Sequence, residues 1–387
     1  MNRIVLAFRC FFSLLFQGKL SDETITELGL TRRGGGAART APAAPAPSAV
    51  TVRTSDGALQ IIGILQRDSR LIDFLMEDIG SYSDDKVDLA VGPTSSGVAL
   101  AMLPVAEEYK KVLLVEPAVA DSITGDKWNK YIFRTGRNSS QDAISNAVAV
   151  DKEGVSIAML AQDYAFGRDG VKAFKDALKK AKIVHEEYLP MATTDFTAGI
   201  QRLIGALKDQ PGRKIIAVVW AGGTPPFNAL ADADLQKRYG IEVGTGGNIL
   251  PAMTAYKRFP GMEGATYYYF GIPKNPVNEA MVAQHYSQFK SPPDFFTAGG
   301  FSAAMAIVTA LKKTNGETGA DKLIATMEGM SFDTPKGKMT FRKEDHQAMQ
   351  SMYHFKIKVD PAFAWGVPDL VREIKPEEMQ VPIRNKR

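Results

Sequence analysis

From residue 87 onward, short apolar runs alternate with amphipathic segments, and this alternation constrains the fold more than any other feature of the chain. The runs at residues 87–91, 112–115, 157–160 and 215–220 are too short for helices and are typical of strands buried on both faces. Between them the spacing predicts helices over residues 97–109 and 167–181, and a further helix that runs through Leu235. The pattern predicts an α/β fold with parallel sheets covered by helices, arranged as two lobes between residues 87 and 365.

The first 86 residues have a different composition. Residues 1–30 are predicted to be helical, residues 31–50 form a Gly/Ala/Pro linker, and residues 51–86 are helical because apolar side chains recur at three-to-four spacing. The apolar run near the start is interrupted by Arg9, and no small-x-small cleavage site follows it. We therefore predict an amphipathic helix there rather than a clean signal peptide.

Composition and motif searches exclude several classes of function. The formal charge of +4 gives no reason to expect nucleic acid as a partner, and Cys10, the lone cysteine, rules out a disulfide or a cysteine-cluster metal site within the chain. The four histidines form no metal-binding motif, and no phosphate loop, dinucleotide fingerprint or nucleophile elbow is present. The sequence predicts a binding protein rather than an enzyme, with no cofactor and no metal.

Ligands of open parallel sheets bind beyond the carboxyl ends of the strands, so the loops that follow the strands are the candidate site. Ser95 and Ser96 lie at a predicted helix N-terminus, which suits a carboxylate but equally suits a simple helix cap. The loops at residues 117–120, 162–167 and 221–224 likewise admit either a ligand or an ordinary turn.

Eight phrases carry a resemblance to a known family. They are VDLAVGPTSSGVALA, LVEPAVADSITG, YIFRTGRNSSQDA, LAQDYAFGRDGVKAF, TTDFTAGIQRL, GMEGATYYYFGIP, TAGGFSAAMAIVTALK and MSFDTPKGKMTFRKEDHQ. In this order they resemble the leucine-binding type of periplasmic binding protein, over about residues 87–358.

The resemblance implies a two-lobed type I periplasmic-binding-protein fold that closes on its ligand by hinge bending. Three crossovers would fall near residues 133–134, 268–269 and 334–335. Lobe one would comprise residues 87–134 and 270–333, lobe two residues 135–269 and 334–365, and a C-terminal tail residues 366–387.

The resemblance also implies a site and a role. The ligand carboxylate would be held on lobe one and the rest of the ligand would be met from lobe two, by a set of eight residues: Ser95, Ser96, Ala118, Ala120, Tyr164, Phe166, Gly222 and Asn248. The implied role is the substrate-binding component of an ABC transporter, with a branched-chain amino acid or related small carboxylate as ligand and a permease as partner. The resemblance places it in the periplasm, with the cytoplasm as the alternative. A ligand-sensing regulator of the same fold and a non-functional fusion product are the competing interpretations.

The chain departs from the family at two places. Amino-acid binders supply an acid for the ligand amine where residues 244–248 here have none, so an aromatic or aliphatic carboxylate becomes a rival ligand. The first lobe also lacks its usual opening strands. In their place is a helical N-terminal extension, which resembles the start of an uncharacterised small bacterial domain family through MNRIVLAFRCFFSLLF and ALQIIGILQRDSRLIDFLMEDIGSYSDD. We therefore expect a fusion with its joint near residues 84–87.

Overall fold

The structure, a computed structural model, describes residues 87–387. The predicted segments at residues 1–30, 31–50 and 51–86, and the predicted joint up to residue 86, lie outside the described residues. The strands are β1 (Leu89–Val91), β2 (Val112–Val115), β3 (Ile132–Arg134), β4 (Val155–Gln162), β5 (Lys182–Leu189), β6 (Arg213–Val219), β7 (Ile241–Thr245), β8 (Glu263–Thr266), β9 (Ser331–Thr334), β10 (Gly337–Phe341), β11 (Ala348–Met349), β12 (Met352–Lys358) and β13 (Val367–Ile374). The helices are α1 (Ser96–Glu108), α2 (Ser139–Val150), α3 (Ala165–Ala177), α4 (Thr197–Leu207), α5 (Phe227–Asp232), α6 (Leu235–Tyr239), α7 (Leu250–Met253), α8 (Pro276–Phe289), α9 (Phe295–Lys313) and α10 (Ala320–Met327).

Lobe one is built on a parallel sheet in the order β1-β2-β3. The central strand β2 is buried at all four positions, as its unbroken apolar run predicts. The prediction of a buried strand over residues 87–91 is corrected, because β1 spans only three residues and Val91 is 51% exposed. The reason is its position at the sheet edge, since β2 is its sole partner among the described strands.

Lobe two is built on a four-stranded parallel sheet in the order β5-β4-β6-β7. Strand β4 is buried along all eight residues because it lies between β5 and β6 and helices pack on both faces. Helix α4 covers one face, and α2 and α3 cover the other. The predicted helix through Leu235 is two helices, α5 and α6, because Asp234 between them adopts a left-handed conformation with φ 50°.

The chain from residue 334 onward differs from the predicted division into lobes. Strands β10 and β11 were assigned to lobe two, but Met339, Phe341 and Ala348 pack in the lobe-one core, where Phe341 meets Phe133 edge to face at 5.2 Å. The third crossover therefore lies between β11 and β12 rather than at residues 334–335. Pairing of β10 with β9 in one antiparallel sheet holds this segment on lobe one.

The predicted tail at residues 366–387 is also corrected. Its first part is β13, which pairs with β12 in the antiparallel sheet β13-β12-β8. This sheet belongs to lobe two, because Phe355 and Ile357 of β12 pack in the same core as the α4 face of the parallel sheet.

Helix α9 is the one described helix that is long and apolar enough to cross a membrane by length and composition. Core helices of soluble proteins pass the same test. Ala303, Ala306 and Ala310 of α9 pack in the lobe-one core, which accounts for its apolar character.

Candidate functional site

A cavity of about 110 Å³ lies where α2 and α3 meet the carboxyl ends of β6 and β7 in lobe two. This is the edge of a parallel sheet at which ligands are expected. Its wall is mainly apolar, and Phe295, the first residue of α9, closes it from the lobe-one side. The polar and aromatic residues that line it include Arg137, Asp142, Phe166, Trp220, Asn248 and Phe295.

A local helix-start signal determines the position of Arg137 beside the cavity. It immediately precedes Asn138, the N-cap of α2, whose side chain accepts from the backbone N–H of Gln141 while the Gln141 side chain accepts from the Asn138 N–H. This reciprocal capping box fixes where α2 begins and therefore where Arg137 stands.

The guanidinium of Arg137 is hydrogen-bonded through Nε only, among the described residues. Its Nε lies 3.2 Å from each carboxylate oxygen of Asp142, one turn into α2, and the two side chains are 14% and 30% exposed. Neither terminal nitrogen has a hydrogen-bond partner among residues 87–387. Burial raises the pKa of the Asp142 carboxyl, and the nearby Arg137 charge opposes that rise.

A second cation stands close to this pair. The Arg137 guanidinium carbon lies 4.4 Å from the ring centre of Tyr267, and Lys336 Nζ lies 4.6 Å from the same ring centre. Lys336 is 3% exposed and donates to Gln350 at 2.8 Å. Burial lowers the pKa of Lys336 to about 8, against an opposing effect of the Glu116 carboxylate.

Trp220 follows β6 directly and belongs to the lining of the cavity, while its ring packs in the core on the α4 side of the sheet. It is 6% exposed and packs edge to face on Phe196 at 5.2 Å. Its indole Nε1 is buried without a hydrogen-bond partner in the described part of the chain. An unpaired buried donor is costly.

The predicted lobe-one residues do not line this cavity. Ser96 is 1% exposed and its Oγ accepts from the Ala120 backbone N–H at 3.2 Å. The carbonyls of Ala118 and Ala120 accept from the buried Arg134 side chain at 3.3 and 2.7 Å. Ser95 is the N-cap of α1 by position but makes no side-chain capping bond. The structure therefore gathers these loops into one hydrogen-bonded unit within lobe one, and their role in ligand binding stays a prediction.

Two of the four predicted lobe-two residues lie in the cavity lining. Phe166 and Asn248 line the cavity, whereas Tyr164 and Gly222 do not. Tyr164 is the N-cap of α3 and its ring lies 5.8 Å from that of Phe166. Gly222 lies in the turn after Trp220, with φ 74°, and its carbonyl accepts from the Gln162 side chain at 3.4 Å.

At Gly247, one of the residues 244–248 that include no acid, a side chain is excluded sterically. A Cβ at Gly247 would lie 2.1 Å from Oγ1 of Thr266, because the loop after β7 packs directly on β8. No side chain fits there without a shift of the backbone. Asp142, which sequence reasoning missed, is instead the carboxylate of the cavity wall nearest to Arg137.

Hydrogen bonds and ion pairs join the two lobes. Asp169 of α3 accepts from the backbone N–H and the hydroxyl of Ser122 at 2.9 and 2.8 Å. Arg384, near the C-terminus, forms ion pairs with Asp121 of lobe one at 3.4 Å and with Asp176 of lobe two at 2.7 Å. The structure thus has the two lobes in direct contact.

Sequence reasoning missed Arg137 and Trp220 as cavity residues. Both stand at positions with a usable signal: Arg137 precedes a capping box, and Trp220 ends the apolar run of a strand. Within residues 87–387 no three His, Cys, Asp or Glu side chains lie close enough to hold a metal ion.

Comparison with known proteins agrees with this architecture. A family model described as periplasmic binding protein matches residues 81–362. The chain belongs to the periplasmic binding protein family. This is a family of solute-binding proteins for transport and not an enzyme family.

Individual named relatives match a large part of the chain. Leu/Ile/Val-binding protein homolog 6 of Brucella melitensis biotype 1 is 26% identical over 268 residues, which are 66% of this chain and 66% of that protein. The chain therefore spans just under two thirds of the length of the Brucella relatives that it matches.

Two solved structures are also similar to this periplasmic binding protein family member. An ABC-type branched-chain amino acid transporter protein from Rhodopseudomonas palustris CGA009 is 69% identical, with 79% of this chain and 83% of that chain covered and a TM-score of 0.71. A solute binding protein of an ABC transporter from Rhodopseudomonas palustris BisB5, in complex with 3,4-dihydroxybenzoic acid, is 26% identical, with 77% and 81% covered and a TM-score of 0.64.

Proposed function

We propose that this protein is the solute-binding component of an ABC transporter and that it holds a small carboxylate between its two lobes. The observation that carries the proposal is the cavity at the carboxyl ends of β6 and β7, where the terminal nitrogens of Arg137 have no hydrogen-bond partner among residues 87–387 and lie beside apolar and aromatic walls. A few convergent polar groups in a mainly apolar cavity are typical of small-molecule sites.

The relatives support this class of ligand. The 69% identical protein is described as a branched-chain amino acid transporter protein, and the 26% identical one was solved with a dihydroxybenzoate. Both ligand types carry one carboxylate on an apolar body. Placement in the periplasm and delivery of the solute to a membrane permease are part of the same proposal.

The proposed role is binding without turnover. The described residues of the cavity include no histidine, serine–base pair or cysteine that would act as a nucleophile. The solute would therefore leave the protein chemically unchanged.

Calorimetric titration of the full chain tests the proposal. The ligands are leucine, its deaminated counterpart 4-methyl-2-oxopentanoate, benzoate and 3,4-dihydroxybenzoate, with the neutral 3,4-dihydroxybenzamide as the control. We expect saturable one-to-one binding of at least one acid, and mass spectrometry of the recovered ligand should show an unchanged mass. Absence of binding by all four acids would contradict the proposed function, and a new product mass would contradict the absence of catalysis.

A further inference from the structure

Residues 379–387 leave lobe two and return to lobe one. They follow β13, which belongs to the antiparallel sheet of lobe two. Met379 and Val381 are 4% and 7% exposed and lie in one apolar cluster with Tyr268, which comes shortly after β8, and Phe295 of α9. Because β8 belongs to lobe two and α9 to lobe one, this cluster lies where the lobes join. The segment is therefore a link between the lobes in addition to the three crossovers.

Beyond this cluster the segment is fixed to lobe one on both sides of Arg384. Before it, the Arg342 guanidinium donates to the Val381 carbonyl at 2.8 Å. After it, the Asn385 side chain donates to a backbone carbonyl of the turn between β10 and β11 at 2.6 Å, and Arg387 donates to another carbonyl of that turn. These partners all belong to lobe one, since β10 and β11 pack in its core.

Arg384 carries the contact with α3 of lobe two. Its guanidinium pairs with Asp176 of α3 at 2.7 Å and lies 3.4 Å from Asp121 of lobe one. The backbone of Arg384 is packed closely on lobe one, because a Cβ at Gly125 would lie 3.3 Å from the Arg384 Cβ. A guanidinium that is mounted on lobe one therefore holds an acid of lobe two.

The flanking hydrogen bonds make this single contact effective. A partly exposed ion pair usually contributes little, because two long side chains must be ordered to form it. Here the bonds on both sides already order the backbone of Arg384, so less freedom is lost when its side chain meets Asp176. Hinge opening that moves α3 away from lobe one must break this contact.

Resting on the proposed function, we propose that residues 379–387 are a strap that favours the closed arrangement of the two lobes. Lobe one carries the strap, and Arg384 is its contact on lobe two. A protein that is already biased towards closure spends less free energy when it closes on its solute. The strap therefore raises the affinity for the solute and slows its dissociation.

Solution X-ray scattering of the ligand-free full chain tests the strap without any solute. Asn385→Ala combined with Arg387→Gln removes two anchors on lobe one and changes neither Arg384 nor its acids. We expect a larger radius of gyration for this anchor variant. Adding Arg384→Gln to it should give little further increase, because both changes release the same contact.

Lys386→Gln is the matched control for the anchor variant. Lys386 lies between Asn385 and Arg387, is exposed, and makes no hydrogen bond or ion pair within residues 87–387. Its replacement removes one positive charge from the same segment and leaves the anchors in place. The radius of gyration should stay native.

Asp176→Asn tests the strap from lobe two and leaves every anchor on lobe one intact. The radius of gyration should rise as in the anchor variant. Lys172→Gln is the control, because it removes the other partner of Asp176, at 3.1 Å, and keeps the Arg384 contact. For whichever of leucine, 4-methyl-2-oxopentanoate, benzoate and 3,4-dihydroxybenzoate binds most tightly, dissociation should be about three- to tenfold faster in both test variants and native in both controls.

The outcomes separate the strap from the proposed function. If the anchor variant and Asp176→Asn both keep the native radius of gyration, the strap does not hold the lobes together, whether or not the chain binds a solute. If only the anchor variant keeps it, Arg384 acts as an isolated ion pair and the strap assignment is wrong. If the radius rises in both test variants but native protein binds none of the four acids, the link between the lobes stands and the proposed function fails.

Discussion

The hydroxyl of Ser96 accepts a hydrogen bond from the backbone N–H of Ala120 at 3.2 Å, so two residues predicted to hold a ligand hold each other. Ser96 begins α1 and Ala120 ends the loop after β2, and both are fully buried. The bond therefore ties two neighbouring strand-to-helix connections of lobe one together. Its first role is structural.

Replacement of Ser96 by alanine tests this structural role. Ser96→Ala leaves the buried Ala120 N–H unpaired, and the free energy of unfolding should fall by about 1 kcal/mol. Ser95→Ala is the matched control, because the Ser95 side chain makes no capping bond, and its stability should be close to native. Urea unfolding measures both variants. Native stability of Ser96→Ala together with a lost affinity for a carboxylate would instead favour a direct ligand contact.

Lys336 should make the stability depend on pH in the alkaline range. Its folded-state pKa of about 8 lies below the ordinary value of 10.5, so the unfolded chain binds more protons between these values. Stability from this group therefore rises with pH above about 8, by at most roughly 1.4 kcal/mol per pH unit. Below pH 8 the cost of burying the charged amine is present in full.

Denaturant unfolding between pH 7 and 9.5 measures this dependence. The stability of Lys336→Met relative to native protein should decrease as the pH rises above 8, because only native protein gains. Lys338→Met, at an exposed position of β10, should run parallel to native protein. If the free energy of unfolding of Lys336→Met also ran parallel to that of native protein over this pH range, Lys336 would titrate normally in the folded state.

Arg384 should help to hold the lobes together, because it pairs with Asp121 of lobe one and Asp176 of lobe two. Arg384→Gln removes both ion pairs, and ligand-free protein should become more open, with a larger radius of gyration in solution X-ray scattering. Ligand dissociation should be about three- to tenfold faster, since partly exposed ion pairs contribute modest energies. Arg372→Gln breaks an exposed pair with Glu378 and should change neither quantity. An unchanged radius of gyration and an unchanged dissociation rate for Arg384→Gln would show that Arg384 does not hold the lobes together.

Hydrogen exchange should distinguish the edge of lobe one from the centre of lobe two. Strand β1 is three residues long with an exposed Val91, whereas β4 and β6 are central strands with buried cores. Low protection is expected across Leu89–Val91 and strong protection across β4 and β6. Strand β2 is buried throughout, so we expect it to be protected although it neighbours β1. Exchange in β1 as slow as in β4 would show that its outer edge is covered in solution.

The sequence alone determined the family and some of the elements. The apolar runs place β2 at Val112–Val115 without error, and they place α1 to within a residue at each end, because burial on both faces demands uninterrupted apolar side chains. The eight ordered phrases were sufficient to assign the two-lobed fold, and the family match over residues 81–362 confirms it.

Only the tertiary structure decided which side chains meet. No local sequence pattern in residues 334–349 indicates which lobe they belong to. The packing of Phe341 against Phe133 assigns β10 and β11 to lobe one. Ser96 and Ala120 lie in loops whose sequence is typical of a ligand site. In the folded protein, however, the Ser96 hydroxyl and the Ala120 backbone N–H are hydrogen-bonded to each other. Arg137 and Trp220 lie 83 residues apart in sequence and line one cavity only because α2 folds over the carboxyl end of β6. Local sequence encodes burial and chain reversal, whereas the partner of a polar group depends on contacts between distant segments, which no local pattern records.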